Sequence, residues 1–252
     1  MMEIALGFLI ALAVGLTGVG AGSVTAPALM IFLHVPAAPA VGTALIFGAI
    51  TKFIAAPSYL LRKQVNFRVL GWMLLGGLPG AIIGSLTLDR MKHTEHNALL
   101  YGSLGVLIAV CAGLNLWRLL VKPNPNPKSH RDRARWLSLI ALPIGAEVGF
   151  SSAGAGALGT IALMNLTTLA SAQVVGTDMM YGLGLSVVGG GLHFTAGNFD
   201  TGLLFRLLGG GVFGVLLGAN LSAILPSRPL RVAISLWLVS LGGELCWRAL
   251  TA

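Results

Sequence analysis

Lys52 is the only basic residue deep inside an apolar run of this chain, and no acid lies within helical reach of it along the sequence. A buried ammonium without a local partner is expensive in hydrocarbon, so an anionic substrate or an acid from the other half of the chain is its natural counter-charge. Snorkelling of the side chain to a membrane interface is the structural alternative. Two carboxyls, Asp178 and Glu147, also lie inside apolar stretches, where either could take up a proton or pair with Lys52. Thr43 and Thr177 each end a Val-Gly-Thr triplet. A hydroxyl there could donate to a substrate or bond its own i−4 carbonyl. Arg206, His193 and Glu244 sit nearer segment ends and read as interface markers.

Glycines 15, 18, 20 and 22, and again 149, 154 and 156, interrupt two apolar segments. Glycine is costly inside a helix, and each break frees backbone amides and carbonyls from their regular partners. In hydrocarbon that is tolerated only where protein or a water-filled cavity surrounds the break. The piece resuming at Ser23-Val24-Thr25-Ala26-Pro27 has a proline in its early turns, and a helix N-terminus there can hold an anion. The matching piece from Ala157 supplies a second N-terminus. The substrate-binding expectation is therefore Gly20, Gly22, Ser23, Thr25, Thr43, Lys52, Gly154, Gly156 and Thr177, with Asp178 and Glu147 as proton-coupling groups. A kink needed only for packing is the competing explanation of the breaks.

Other chemistry finds little support. Gly149-Phe150-Ser151-Ser152-Ala153 falls one glycine short of a nucleophile elbow and lies in a helix-like setting. His93-Thr94-Glu95-His96 lacks metal-site spacing and reads as a solvated turn. Cys111 and Cys246 lie inside apolar segments and read as packing residues. The expectation is a protein that is not an enzyme, with no cofactor and no metal.

These residues are carried by a chain that is 56% hydrophobic and 10% charged, with a mean hydropathy of +0.87, which defines a polytopic membrane protein. Apolar runs fall near residues 4–33, 38–61, 67–88, 97–121, 137–163, 171–196, 202–225 and 232–250, leaving no room for a soluble domain. The first run follows Met1-Met2-Glu3 without a basic segment and passes into Val24-Thr25-Ala26-Pro27, so a cleaved signal peptide is not expected. The net charge of +8 resides in short loops rather than on a soluble face, which orients the protein in its membrane and argues against nucleic acid.

The chain is two copies of one module. Gly15-Leu16-Thr17-Gly18-Val19-Gly20-Ala21-Gly22 recurs 134 residues later as Gly149-Phe150-Ser151-Ser152-Ala153-Gly154-Ala155-Gly156. The register persists through Val41-Gly42-Thr43 and Val175-Gly176-Thr177, and through Gly76, Gly80, Gly84 and Gly210, Gly214, Gly218. These last triplets lie at i, i+4 and i+8 and make a flat strip for close helix packing. The expected fold is all-α, with modules at 1–121 and 137–252 joined by a basic, proline-rich cytoplasmic linker at 122–136. If every run spans once, the copies are parallel. If the first and fifth runs are re-entrant hairpins, each module has three full spans and the copies are inverted. Eleven of the sixteen Lys and Arg fall inside either way. Loop charge favours inversion: Arg62, Lys63 and Arg68 surround one loop whose counterpart, 197–201, carries only Asp200. The first loop is then cytoplasmic and the second periplasmic. A single long, tilted and kinked span is the rival for each broken segment.

The glycine-rich first segment, Pro27-Ala28-Leu29, Ala40-Val41-Gly42-Thr43 and Gly76-Gly77-Leu78-Pro79-Gly80 resemble the sulfite exporter TauE/SafE family of membrane permeases, over essentially the whole chain. The family pattern usually has three adjacent glycines where this chain has Gly20-Ala21-Gly22 and Gly154-Ala155-Gly156. Ile161 stands where the second copy would match Pro27. The resemblance implies transport of small sulfur-containing or organic anions, such as sulfite, sulfoacetate, thiosulfate or related sulfonates, across a bacterial cytoplasmic (inner) membrane, driven by a proton gradient. Expected partners are the small anion and membrane lipid, with a homodimer left open. A channel, or a membrane enzyme or assembly factor, is the alternative.

Overall fold

The computed structural model describes residues 1–17, 21–92, 97–120, 133–153, 155–221 and 227–251. Ten α-helices follow one another in two sets of five: α1 (Met2–Thr17), α2 (Ala21–Phe32), α3 (Ala37–Leu61), α4 (Phe67–Met91) and α5 (Asn97–Leu120), then α6 (Leu137–Ser151), α7 (Thr160–Leu166), α8 (Ser171–Thr195), α9 (Thr201–Leu221) and α10 (Ser227–Thr251). A 3₁₀ turn at Ala134–Trp136 leads into α6, and a π-helical turn at Ala155–Gly159 precedes α7. Adding 134 to the bounds of α3 returns those of α8, so the repeat read from glycines holds for whole helices. No strand occurs among the described residues.

Each broken segment is a re-entrant hairpin. In the second copy, the Arg133 amide before α6 donates to the Leu166 carbonyl at the end of α7, 3.0 Å away, so the segment starts and finishes at one place. In the first copy, Glu3 at the start of α1 pairs with Arg206 in the second turn of α9. Thr43, two turns into α3, accepts from the Asp200 amide immediately before α9. The beginnings of α1 and α3 therefore lie at the same end of α9, and the α1–α2 segment between them returns to the face it left. The rival single tilted span is excluded for both copies.

With three full spans each, the modules are inverted. Along the α3–α8 pair, Gly42 meets Asn198, Lys52 meets Gly182 and Ser186, and Gly176 meets Gln64, an antiparallel order. The α5–α10 pair runs the same way, from Gly105 beside Cys246 to Asn115 bonded to Ser235 at 2.9 Å. Parallel copies would align both pairs. The face with Arg62, Lys63, Arg68, Arg133 and Arg135 is called the basic face below; the face with residue 1 and loop 196–200 is the opposite face.

The modules interlock: α1 lies along α9 and α6 along α4, each re-entrant limb on a helix of the other copy. The glycine strips make this contact. A Cβ on Gly80 would overlap the Leu142 carbonyl and the Ala146 amide, and one on Gly214 would overlap the Phe8 carbonyl and the Leu12 amide. Close backbone approach without a solvophobic drive is how helices associate in lipid.

Helices α3, α4, α5 and α9 are long and apolar enough to cross a membrane on composition alone. Helix α8, which carries Asp178 and His193, runs antiparallel beside α3 from face to face. Asn66 and Asp200 begin α4 and α9 with matching side-chain caps, accepting from the amides of Val69 and Leu203. Trp117, Trp136 and Trp247 stand exposed near helix ends, as aromatic residues do at the edges of a bilayer.

Candidate functional site

Lys52 and Phe53 are consecutive on α3, yet Phe53 is 71% exposed toward lipid and Lys52 only 3%. At 1.5 Å per residue, Lys52 lies about 22 Å from one end of α3 and about 14 Å from the other. Its ammonium turns inward, so snorkelling does not occur. Nζ donates to the Gly182 carbonyl at 3.1 Å and to Ser186 Oγ at 2.9 Å, both on α8. Ser186 is the repeat equivalent of Lys52, since the two differ by 134 positions. The pseudo-two-fold axis therefore passes through this contact, at the crossing of the two inverted copies.

Asp178, Gly182 and Ser186 lie at i, i+4 and i+8 on one face of α8. Asp178 is buried and is the acid whose charge acts on Lys52. Its Oδ2 accepts from Thr160 Oγ1 at 2.9 Å, and the same hydroxyl lies 2.7 Å from the Gly156 carbonyl. A Cβ on Gly159 would overlap the Asp178 carboxyl, so a glycine in the π-helical turn is what admits the acid. A π-helical turn leaves the i→i−4 ladder out of register and recurs at functional positions. The cation of one copy and the re-entrant hairpin of the other thus meet through Asp178.

The tip of α6 holds a second polar group. Its last turn ends at Ser152 in the left-handed conformation, φ 64°, whose amide caps the Val148 carbonyl at 2.8 Å and leaves the next carbonyl, that of Gly149, to side chains. The Gly149 carbonyl instead lies 3.3 Å from Ser85 Oγ of α4 and 3.1 Å from His193 Nε2 of α8. Because a carbonyl only accepts, that ring nitrogen carries the hydrogen and Nδ1 is the acceptor. Ser151 Oγ donates to Glu147 Oε1 at 2.7 Å and accepts from the Ala153 amide.

His193 was expected to mark an interface, and it does not. It is 1% exposed, because loop 196–200 folds back over it. Asn198 Nδ2 faces His193 Nδ1 at 3.5 Å and donates to Asp89 Oδ1 at 2.8 Å. Asn198 Oδ1 accepts from Lys92 Nζ at 2.6 Å, and Lys92 also pairs with Asp89 at 2.6 Å. This network ties α4, α6 and α8 together at the opposite face. Arg206 and Glu244 are exposed.

The other expected residues are dispersed. Thr43 and Thr177 are fully buried but are engaged across the copies: their Oγ1 atoms accept from the amides of Asp200 and Asn66, each at 3.0 Å. Gly22, Ser23 and Thr25 fall in the first turns of α2, with Thr25 buried, and Gly156 in the π-helical turn. Gly20 and Gly154 lie outside the described residues, as do the 93–96 cluster and linker positions 122–132. Cys111 and Cys246 are free thiols. Ser186, Thr160, Ser85 and His193 were not foreseen. Ser186 was within reach of the sequence, because an inverted repeat brings position i of α3 against its own equivalent in α8.

The family described as Sulfite exporter TauE/SafE matches residues 3–245. Relatives include the probable membrane transporter protein YjnA of Bacillus subtilis (strain 168), 33% identical over 245 residues, covering 94% of this chain and 96% of the relative. The probable membrane transporter protein YdhB of the same strain is 27% identical over 241 residues, with the same coverage. A probable membrane transporter protein of Xylella fastidiosa (strain Temecula1 / ATCC 700964) is 27% identical over 104 residues, covering 41% of this chain and 39% of the relative. No solved structure matches the chain.

Proposed function

Because this chain belongs to the sulfite exporter TauE/SafE family of membrane proteins, we infer that it is a secondary transporter of small sulfur-containing anions: sulfite, sulfoacetate, thiosulfate or related sulfonates. The observation that carries the anion reading is Lys52, a cation held mid-membrane on the pseudo-two-fold axis by two neutral oxygens. An anion that displaces Gly182 and Ser186 from Nζ gains a charge-assisted bond where the dielectric is low. Asp178 sets the limit on affinity, since its charge competes for the same ammonium.

Inverted repeats give alternating access its symmetry, because exchanging the conformations of the copies turns an inward-facing state outward. The protein works in the bacterial cytoplasmic membrane with its basic face inside, and a proton gradient drives it.

Purified protein in proteoliposomes, offered radiolabelled sulfite, thiosulfate and a small sulfonate with and without a pH gradient, tests this reading. Lys52→Ala abolishes binding and uptake, while Lys52→Arg keeps part of both. Unchanged affinity in the alanine variant returns Lys52 to a structural role, and no uptake of any probe rejects the substrate class.

A further inference from the structure

The two re-entrant hairpins share a backbone plan but differ at one position near the tip. In the first hairpin, α1 and α2 splay apart to leave an apolar cavity of about 350 Å³ against α10, and Ala13 is part of its lining with Leu6, Ile10, Val24 and Trp237. The repeat equivalent of Ala13 in the second hairpin is Glu147. The plan folds with an alanine there, so the carboxyl is an addition to the scaffold.

Glu147 is 8% exposed. Its Oε1 is held by Ser151, while Oε2 is buried with no hydrogen-bond partner among the described residues. The Cys111 thiol of α5 lies within hydrogen-bonding reach of the same carboxyl, and Tyr181 of α8 is close to it. None of these is a cation, and Lys52 answers to Asp178. A carboxylate held by one hydroxyl and a weak thiol donor, with no counter-charge, is costly to bury, whereas the neutral acid is tolerated. A hard metal ion is a poor substitute, since it draws on about six oxygens and Glu147 offers one free carboxylate oxygen.

We propose that Glu147 is the proton-binding site of the transporter, loaded while it is buried as here and separate from the anion site at Lys52. This deepens the transport reading above and rests on it. The hairpin supplies the means of release. Ser152 in the left-handed conformation and the π-helical turn after it make the tip of α6 the least regular backbone in the second module. When the hairpin shifts and water enters, the Oε2–H bond breaks and the proton passes to that water. The electron pair stays on the carboxylate, which keeps the Ser151 hydroxyl. One group then carries the proton and another the anion, both referred to α8.

The test uses the full-length protein in lipid. The infrared difference between wild type and Glu147→Gln at neutral pH carries the carbonyl band of a protonated carboxylic acid, and the same band appears between Asp178→Asn and the double variant, which assigns it to Glu147 rather than to Asp178. In proteoliposomes with the sulfur-anion panel, Glu147→Gln keeps anion exchange but loses accumulation driven by a pH gradient. Glu147→Ala, which copies the first hairpin, behaves the same way. Absence of the band overturns the proposal, as does either variant still concentrating a probe under the gradient, or a sodium gradient replacing the proton gradient in wild type. A band in wild type with no gradient response for any probe instead supports the proton site and overturns its coupling role.

Discussion

The two ends of the α3–α8 pair are closed by the same backbone device and by different side-chain chemistry. At both ends a buried threonine of one copy accepts from the amide that starts a helix of the other, Thr43 with Asp200 and Thr177 with Asn66. At both ends the loop turns back through one backbone bond, Asn198 to His193 at 2.8 Å and Gln64 to Tyr59 at 3.0 Å. Among the described residues, only the opposite face adds a network like that of Asp89, Lys92, Asn198 and His193. The equivalent sequence positions are Ala223, Pro226, Gln64 and Tyr59, none of them charged. Duplication reproduces what backbone geometry requires, while this side-chain network joins the two copies at one face only, as a polar latch.

The comparison is most exposed to a topology measurement, whose result is all or none. Single cysteines at Arg62 and at Thr201, both exposed positions, in a background lacking Cys111 and Cys246, are probed in intact cells with an impermeant thiol reagent. Labelling at Thr201 alone is expected. Matched behaviour at both positions contradicts inversion.

The interlocks are expected to respond equally. Gly80→Leu and Gly214→Leu both abolish the folded fraction in size-exclusion profiles, because each drives a side chain into the backbone of the other copy's limb. The alanine variants cost about 1–3 kcal/mol each. Gly71→Ala, with nothing near its Cβ, is the control that stays at wild-type stability. Loss of only one interlock weakens the symmetric reading.

The latch is expected to break the symmetry. Asn198→Ala removes one bond each from Lys92 and Asp89, which keep each other, and takes the amide away from the buried His193 Nδ1, lowering stability by about 1–3 kcal/mol in thermal unfolding. Gln64→Ala, its counterpart, costs measurably less. Equal costs would mean that the latch adds nothing beyond the shared backbone turn. The smallest effects come from Thr43→Ala and Thr177→Ala, at about 1 kcal/mol each and equal to one another. A loss of substrate affinity in either, with stability intact, would instead give that hydroxyl a place in binding.

Local composition and register made the repeat, the eight apolar runs, the glycine breaks and the packing strips legible, because each depends only on residues within a few turns of one another. Lys52 was legible for the same reason: a lone cation in an apolar run is conspicuous whatever surrounds it. His193 was misread because its place near the end of α8 suggested an interface, and only the fold of loop 196–200 over it shows otherwise. The π-helical turn beside Asp178 was not legible either, since Gly159 is needed there only because an acid 19 positions away arrives against it. Between hairpin and span the total charge was silent, for eleven basic residues fall on one side under both topologies, and only the exchanged loop charge leaned towards inversion. That choice is made by where a chain goes after a glycine break. It is visible only in contacts between distant residues: Arg133 with Leu166, Thr43 with Asp200, and Lys52 with its own repeat partner Ser186.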